Sequence, residues 1–540
     1  MQKPFLAMNS GDLIHALDIT AKLLELHNEN PFKIKAYTNA AYKLSKLRYD
    51  FEGKTQHDIE AIEGIGKGIS GKIHELLQLG TTAELNELLE KTPEGVVKML
   101  GVKGLGPKKV RQLWLELNIE SLGELLYACN ENRLIALKGF GEKTQTQIKQ
   151  NIEFKLSNNN KFHYAAIEKP VQNLIEFISE QQNELQIVVV GQLARKCEVI
   201  DKLEILVDGE ISTDISIIEK SIPIKVNYFF CQPSEFFYRL VELSSTPEHL
   251  KKINFNGLNT KEFFDDEEIY QALNLQYIEP ELREGLNEVV LAEQNKIPKL
   301  IELEDLKGVL HNHTTYSDGV HSLIEMANYC KDLGFEYLGI CDHSKTAFYA
   351  QGLPIEKVIQ QQIEIDKLNL TFSNFTVLKG IESDILNDGS LDYPEEILKT
   401  FDFIVASVHS NLKMNEEKAT ERLIKAIENP YTSILGHPTG RLLLARPGYP
   451  VNHKKIIDAC SANKVSVELN AHPYRLDIDW RWIWYCLEKN VKISINPDAH
   501  HKEGYHDMYY GICAARKGML SKEFCLNAMG LTEIKTYFKK

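Results

Sequence analysis

Apolar and polar positions alternate with two different periods along this chain. In the first 150 residues the repeat is helical, as in Ile73-His-Glu-Leu-Leu-Gln-Leu79 and Val110-Arg-Gln-Leu-Trp-Leu-Glu-Leu117. Between 160 and 270 helical stretches alternate with runs rich in β-branched residues. Leu185–Val190, Leu203–Val207 and Ile222–Phe230 read as strands. Residues 276–305 carry charge and proline without clear periodicity and read as a loop-prone linker. From about 306 a new rhythm starts. Seven short apolar runs, separated by helical patterns, each end in a polar cluster: Gly308–Leu310, Tyr337–Ile340, Thr376–Leu378, Phe403–Ala406, Ser433–Leu435, Val465–Leu469 and Val491–Ile495. Repeated strand–helix units predict a parallel sheet closed into a barrel, with its chemistry at the carboxyl ends of the strands.

Three short segments punctuate the helical region: Ile62-Glu-Gly-Ile-Gly-Lys-Gly68, Val102-Lys-Gly-Leu-Gly-Pro-Lys-Lys109 and Leu137-Lys-Gly-Phe-Gly-Glu-Lys143. Each places two glycines around an apolar residue, then lysine. They predict tight turns between helices, with the next helix's amino terminus and the lysine offered to phosphate. The candidate DNA contacts are Gly64, Gly66, Lys67, Gly68, Gly104, Gly106, Lys108, Lys109, Gly139, Gly141 and Lys143. One such turn is weak evidence. Three in register resemble helix-hairpin-helix motifs, which hold the DNA backbone without reading sequence.

Six of the seven strand ends carry metal-ligand side chains. His311 and His313 are two apart on a strand and so share a face. Asp318, His343, Glu382, His409, His437, Asp498 and His500 follow at later strand ends or loops. Arg441 follows the His437 cluster and offers either a phosphate clamp or a rim ion pair. Asp342, His472, Arg475 and His501 are further candidates for supporting the ligands or touching substrate.

Together with Asn30-Pro-Phe-Lys-Ile-Lys-Ala-Tyr37, which is similar to the opening of family X DNA polymerases, these motifs make nearly the whole chain resemble bacterial PolX. That family joins a polymerase module to a carboxy-terminal PHP domain. The resemblance implies a multidomain α and α/β protein. Residues 1–80 would be a lyase-like helical domain and 81–157 a fingers-like domain with two further hairpins. Residues 158–275 would be palm and thumb, 276–305 a linker, and 306–540 a distorted (β/α)7 PHP barrel. It also implies three divalent ions. His311, His313, Glu382 and Asp498 would hold one; Glu382, His409 and His437 a second; Asp318, His343 and His500 a third. Mixed imidazole and carboxylate ligands favour Mn, Zn or Fe over Mg, with Mn expected to support activity. Glu382, Asp498 and Arg441 are the expected catalytic residues. At His472 the family more often has asparagine.

The polymerase positions depart from the family. Its Asp-x-Asp reads Lys202-Leu-Glu204, its third aspartate falls on Asn227, and its Gly-Ser reads Gly191-Gln192. Three carboxylates become one carboxylate, one amide and one ammonium, and an ammonium repels the cations it should bind. Asp201 and Glu204 are three apart and face opposite sides of a strand. Asp208 and Glu210 bracket a glycine in a turn.

Composition narrows the rest. A net charge of -14 excludes a surface coated in nucleic acid. The first 155 or so residues are near neutral, which directs the search for DNA contacts there. No apolar run is long enough to span a membrane, and no secretory signal opens the chain. Nine cysteines without a CxxC pair read as reduced thiols. A cytoplasmic location is expected. The expected function is a DNA-binding, metal-dependent phosphodiesterase acting on 3′ ends in repair, on gapped or 3′-ended DNA and alongside repair proteins. The alternatives are a bifunctional polymerase and 3′–5′ exonuclease, a non-catalytic DNA-binding scaffold, and a small-molecule phosphatase.

Overall fold

The computed structural model describes residues 10–46, 51, 54–156, 160–258 and 262–539. The chain divides into two compact units. One comprises residues 1–130 and 134–156; the other comprises 131–133 and 157–540.

The first unit is all helix. Its three glycine turns share one geometry. Gly64, Gly104 and Gly139 have φ of 84°, 92° and 89°, a left-handed conformation that side chains resist. The residue between each pair of glycines is buried: Ile65, Leu105 and Phe140 are 4–5% exposed. Helices Lys67–Leu79, Pro107–Leu117 and Glu142–Leu156 start directly after the turns. Gly66 and Gly106 cap the first two without a side-chain hydrogen bond, so their amino-terminal amides stay open to an anion.

The second unit begins with the palm-like layer. Strands β1 (Phe162–His163), β2 (Ile187–Val190), β3 (Val199–Ile200), β4 (Leu203–Val207) and β5 (Val226–Phe230) form a β1–β3 pair and a three-stranded sheet ordered β2-β4-β5. The last of these is shorter than the run Ile222–Phe230 predicts, because Pro223 has no N–H for a ladder. β2 pairs with β4 antiparallel and β4 with β5 parallel, which sets Glu204 opposite Asn227.

The barrel follows. Its strands are β6 (Gly308–Val309), β7 (Tyr337–Ile340), β8 (Thr376–Lys379), β9 (Glu382–Asp384), β10 (Val405–Ser407), β11 (Ile434–Leu435), β12 (Ser466–Asn470) and β13 (Ile493–Asn496). All pairings are parallel, in the orders β6-β7-β8 and β13-β12-β11-β10-β9. Two isolated bridges close the ring: Asn312 with Ala499, and His343 with Glu382. β8 and β9 are one strand position broken at Gly380–Ile381, so the barrel has seven staves. Val405, Ile434, Val467, Ile493 and Ile495 are fully buried in it.

The stretch 276–305 corrects the expectation of a loop-prone linker. It forms short helices, Pro280–Leu282 and Glu288–Glu293, and it is packed. Arg283 is 0% exposed. Acidic residues here meet cations from both sides. Arg516 Nε donates to Glu281 Oε1 (2.5 Å), and Lys517 Nζ donates to Glu284 Oε1 (2.7 Å) and to the Arg195 carbonyl (2.7 Å). Charge suggested solvation, but these charges are paired and buried, and the segment joins palm to barrel.

Candidate metal centre

Every candidate ligand sits where a barrel strand ends or just beyond. His311 and His313 follow β6, and the intervening Asn312 turns away to donate to the Gly339 carbonyl (2.6 Å). His343 follows β7, Glu382 opens β9, and His409 and His437 each lie two residues past β10 and β11. Asp498 and His500 follow β13, with Asp498 in the left-handed region at φ 51°. Eight of the nine residues are buried, and the ninth, His409, exposes only 7% of its side chain.

Glu382 is the hub. Its Oε1 lies 3.0 Å from His437 Nε2, 3.1 Å from His409 Nε2 and 3.4 Å from His311 Nε2. Its Oε2 lies 2.8 Å from His343 Nδ1 and 3.7 Å from His313 Nε2. Asp498 Oδ1 lies 2.9 Å from His313 Nε2. Asp318 faces His500 Nε2 at 3.4 Å and His343 Nε2 at 3.6 Å. Ligand atoms converge within 4.8 Å in three overlapping groups: His313, Asp318, His343 and His500; His311, His313 and Glu382; and His343, Glu382 and His409.

The donor set fits divalent cations. His311 Nε2, His313 Nδ1, Asp318 Oδ2, Glu382 Oε2 and His500 Nε2 are buried without a hydrogen-bond partner. Such atoms are costly unless something binds them. Burial works against charge on Glu382, Asp318 and Asp498, yet neighbouring histidines overcome it and hold all three well below the usual carboxylate range. Burial, with His500 and His343 beside it, pushes His313 down to about 3. Six imidazoles and three ionised carboxylates are what mixed-ligand metal sites need.

Two carboxylates that the sequence did not single out orient the imidazoles. Glu468, fully buried on β12, accepts from His311 Nδ1 (2.7 Å), the His437 amide (2.8 Å) and Asn496 Nδ2 (3.0 Å). Asp384 accepts from His409 Nδ1 (2.5 Å) and Thr346 Oγ1 (2.7 Å). A carboxylate accepts only, so each Nδ1 carries a proton, which leaves Nε2, on the Glu382 side, as the atom that could ligate. The one available signal was an acid inside the apolar run Val465–Leu469. Asn470, at the end of the same strand, donates to Asp498 Oδ2 (3.0 Å). The strand without a ligand thus supports those on its neighbours. Replacing Glu468 by Gln is expected to lower metal affinity by about 10–100-fold, read by competition with a chelating dye. Unchanged affinity would remove Glu468 from this role.

Arg441 is a correction. Nη1 donates to Asp479 (2.6 Å) and Nε to the Arg475 carbonyl (3.1 Å), while Nη2 donates to the Leu476 carbonyl. All three of its nitrogens donate to the rim, so the side chain is held as a rim ion pair and not aimed as a phosphate clamp. Asp342 supports the ligand loop, accepting from Thr314 N (2.8 Å), Ser317 Oγ (2.5 Å) and Gln361 Nε2 (2.6 Å). His472 belongs to none of the three groups, and its Nδ1 accepts from the Tyr474 amide at 3.2 Å. Arg475 is buried at the rim, and His501 is half-exposed beside Glu503 (3.5 Å).

In the palm, Gln192 lies in the short helix Gly191–Ala194 after β2, and its side chain caps the Asp201-Lys202 turn between β3 and β4. Its Oε1 accepts from the Asp201 and Lys202 amides (2.9 and 3.1 Å) and its Nε2 donates to Asp201 (2.9 Å). The Glu204 carboxylate lies over Gly191, where a Cβ would fall 2.0 Å from Oε2. Among the described residues, no group of three metal-ligand side chains forms here. In the helical unit, Lys67, Lys108 and Lys143 are exposed, and Lys109 Nζ lies 5.1 Å from the Phe140 ring centre.

Residues 8–82 match the model of a helix-hairpin-helix domain, 96–153 that of a SAM-like helix-hairpin-helix tandem, and 310–472 that of a PHP domain. The PHP match stops before Asp498 and His500, which the fold nevertheless returns to the site. The chain is 32% identical to the DNA polymerase/3′-5′ exonuclease PolX of Bacillus subtilis strain 168, over 99% of this chain and 100% of that protein. It is also 31% identical over 202 residues to a probable phosphatase of Acetivibrio thermocellus and 26% identical over 201 residues to one of Clostridium novyi. Each of those matches covers 35% of this chain and 78% of the relative.

Proposed function

The chain belongs to the PolX family, and on that premise we propose that it is a DNA-binding, metal-dependent phosphodiesterase. It removes nucleotides or damaged groups from 3′ ends in DNA repair, and the PHP barrel is its sole catalytic centre. One observation carries this reading: nine His, Asp and Glu side chains converge at the mouth of a barrel joined to three phosphate-seeking hairpins.

His311, His313, Glu382 and Asp498 would hold one ion, Glu382, His409 and His437 a second, and Asp318, His343 and His500 a third. Bound there, divalent cations supply Lewis acidity, activation of a water nucleophile and charge neutralisation at the phosphate. The chain's own contribution is placement. Glu468 and Asp384 hold the Nδ1 protons of His311 and His409 and so keep both Nε2 atoms free to ligate. Glu382 presents both oxygens to different histidines, the disposition of a bridging ligand. No serine or cysteine nucleophile is required. The hairpins hold the backbone, so the enzyme is indifferent to sequence.

The palm is proposed to have lost nucleotidyl transfer. Lys202 and Asn227 replace carboxylates, and Gln192, at the position of the family's Gly-Ser, spends its side chain on the Asp201-Lys202 turn. The bifunctional reading rests on the Bacillus subtilis relative, whose name includes polymerase. A 5′-labelled primer–template with manganese, with and without dNTPs, decides between them. Shortening from the 3′ end without extension is expected, and His311→Ala should abolish it. Extension that disappears in Glu204→Gln would overturn the loss of polymerase; equal shortening by His311→Ala would overturn the barrel's role. Phosphate release from small phosphomonoesters, with no action on DNA, would favour the phosphatase reading.

A further inference from the structure

We propose that Phe348 and Lys345 form a subsite that stacks an unpaired nucleobase of the strand entering the metal centre. This rests on the nuclease reading and gives it a substrate preference: single-stranded ends carrying bases, over small phosphate esters.

Phe348 lies five residues beyond His343, on the loop at the carboxyl end of β7, the barrel face that carries every ligand. Its side chain is 85% exposed, while Ala347 and Ala350 on either side of the turn are fully buried. A lone exposed aromatic is ordinary on a protein surface. This one is held out by a rigid frame. The Ser344 amide donates to the Glu382 carbonyl (3.0 Å), Leu353 N to the His343 carbonyl (2.8 Å) and Gly352 N to the Ala347 carbonyl (3.0 Å). Gly352 passes so close that a Cβ would fall 1.9 Å from the Ser344 oxygen. Thr346 fastens the centre of the loop, its amide donating to Asp392 (2.7 Å) and its hydroxyl to Asp384 (2.7 Å). Asp384 is the carboxylate that orients His409. The loop presenting Phe348 is therefore built into the metal centre.

Lys345, three residues earlier, is exposed, with Nζ 5.6 Å from the Tyr393 ring centre. A cation for the phosphate and an aromatic face for the base on one loop are the combination by which proteins hold single strands without reading sequence. A loop backbone already held in place loses little freedom when a base lands on the ring it carries.

The test compares wild type, Phe348→Ala and Phe348→Trp on a 5′-labelled single-stranded oligonucleotide and on the same oligonucleotide with its last three nucleotides abasic. With manganese, Phe348→Ala should raise KM about tenfold on the normal strand. It should leave kcat and metal content near wild type and leave KM on the abasic strand unchanged, and Phe348→Trp should restore the normal KM. In chelator, without cleavage, the emission added by Phe348→Trp over wild type should be quenched by the normal strand and not by the abasic one. Equal KM changes on both strands, or quenching by neither, would overturn the subsite. If wild type cleaves neither strand, the nuclease reading fails instead, and the quenching result still decides the subsite.

Discussion

Glu382→Gln is expected to abolish phosphodiesterase activity, lowering kcat by more than about 10³-fold, because loss of even an orienting partner costs about 10–100-fold. Glu382 contacts four imidazoles through two oxygens at 2.8–3.4 Å. The amide keeps the shape but loses the negative charge that attracts a divalent cation, and its nitrogen offers no lone pair to ligate one. Elemental analysis of the purified variant should show at least two fewer ions per chain than wild type, since Glu382 serves two of the expected sites. Wild-type metal content together with wild-type cleavage would sink both the bridging role and the assignment of the centre. Chelation of the wild type should reproduce the loss of activity, and manganese should restore it.

The second large effect concerns stability. Arg283→Met is expected to destabilise the second unit by about 3–5 kcal/mol, the usual cost of removing one partner from a buried ionic group. The guanidinium is fully buried. Nε donates to the Ile278 carbonyl (2.9 Å), Nη1 to Ser244 Oγ (3.1 Å), and Nη2 to Asp266 Oδ2 (2.6 Å) and the Tyr277 hydroxyl (3.3 Å). The Tyr270 and Tyr277 ring centres lie 5.2 and 5.6 Å away. Methionine fills most of the space but leaves the buried Ile278 carbonyl without its donor and Asp266 without its counter-charge, with the Tyr277 hydroxyl (2.9 Å) still donating to it. Urea unfolding followed by fluorescence should show the loss, and adding Asp266→Leu should recover part of it, because the stranded charge is gone. A loss under about 1 kcal/mol would mean that the arginine is not what closes this part of the molecule.

The legible parts of this protein depend on local periodicity. Strand alternation put His311 and His313 on one face, and the recurrence of short apolar runs ending in His, Asp or Glu implied a parallel barrel with ligands at its mouth. Two glycines around one apolar residue implied the hairpin turns, since the backbone conformation there is one that glycine adopts readily. The charge substitutions in the palm were equally plain, because an ammonium in place of a carboxylate changes sign whatever the fold.

Features that depend on distant partners were not legible. Glu468 and His311 are far apart in sequence, and an acid within a strand looks the same whether it faces solvent or a histidine. Arg441 had two readings of equal standing, and Asp479 with two loop carbonyls decides between them through contacts formed when the rim folds. Residues 276–305 looked like a solvated linker because their composition is charged; Arg195, Arg516 and Lys517 make that charge an internal ion network. The sequence by itself determined the kinds of element, the candidate ligand side chains and their places at strand ends, since these follow from backbone period and side-chain chemistry. Only the tertiary structure decided which imidazole nitrogen faces the site, which arginine is committed and which charges are buried, because each depends on a partner that the closing of the barrel brings within about 3 Å.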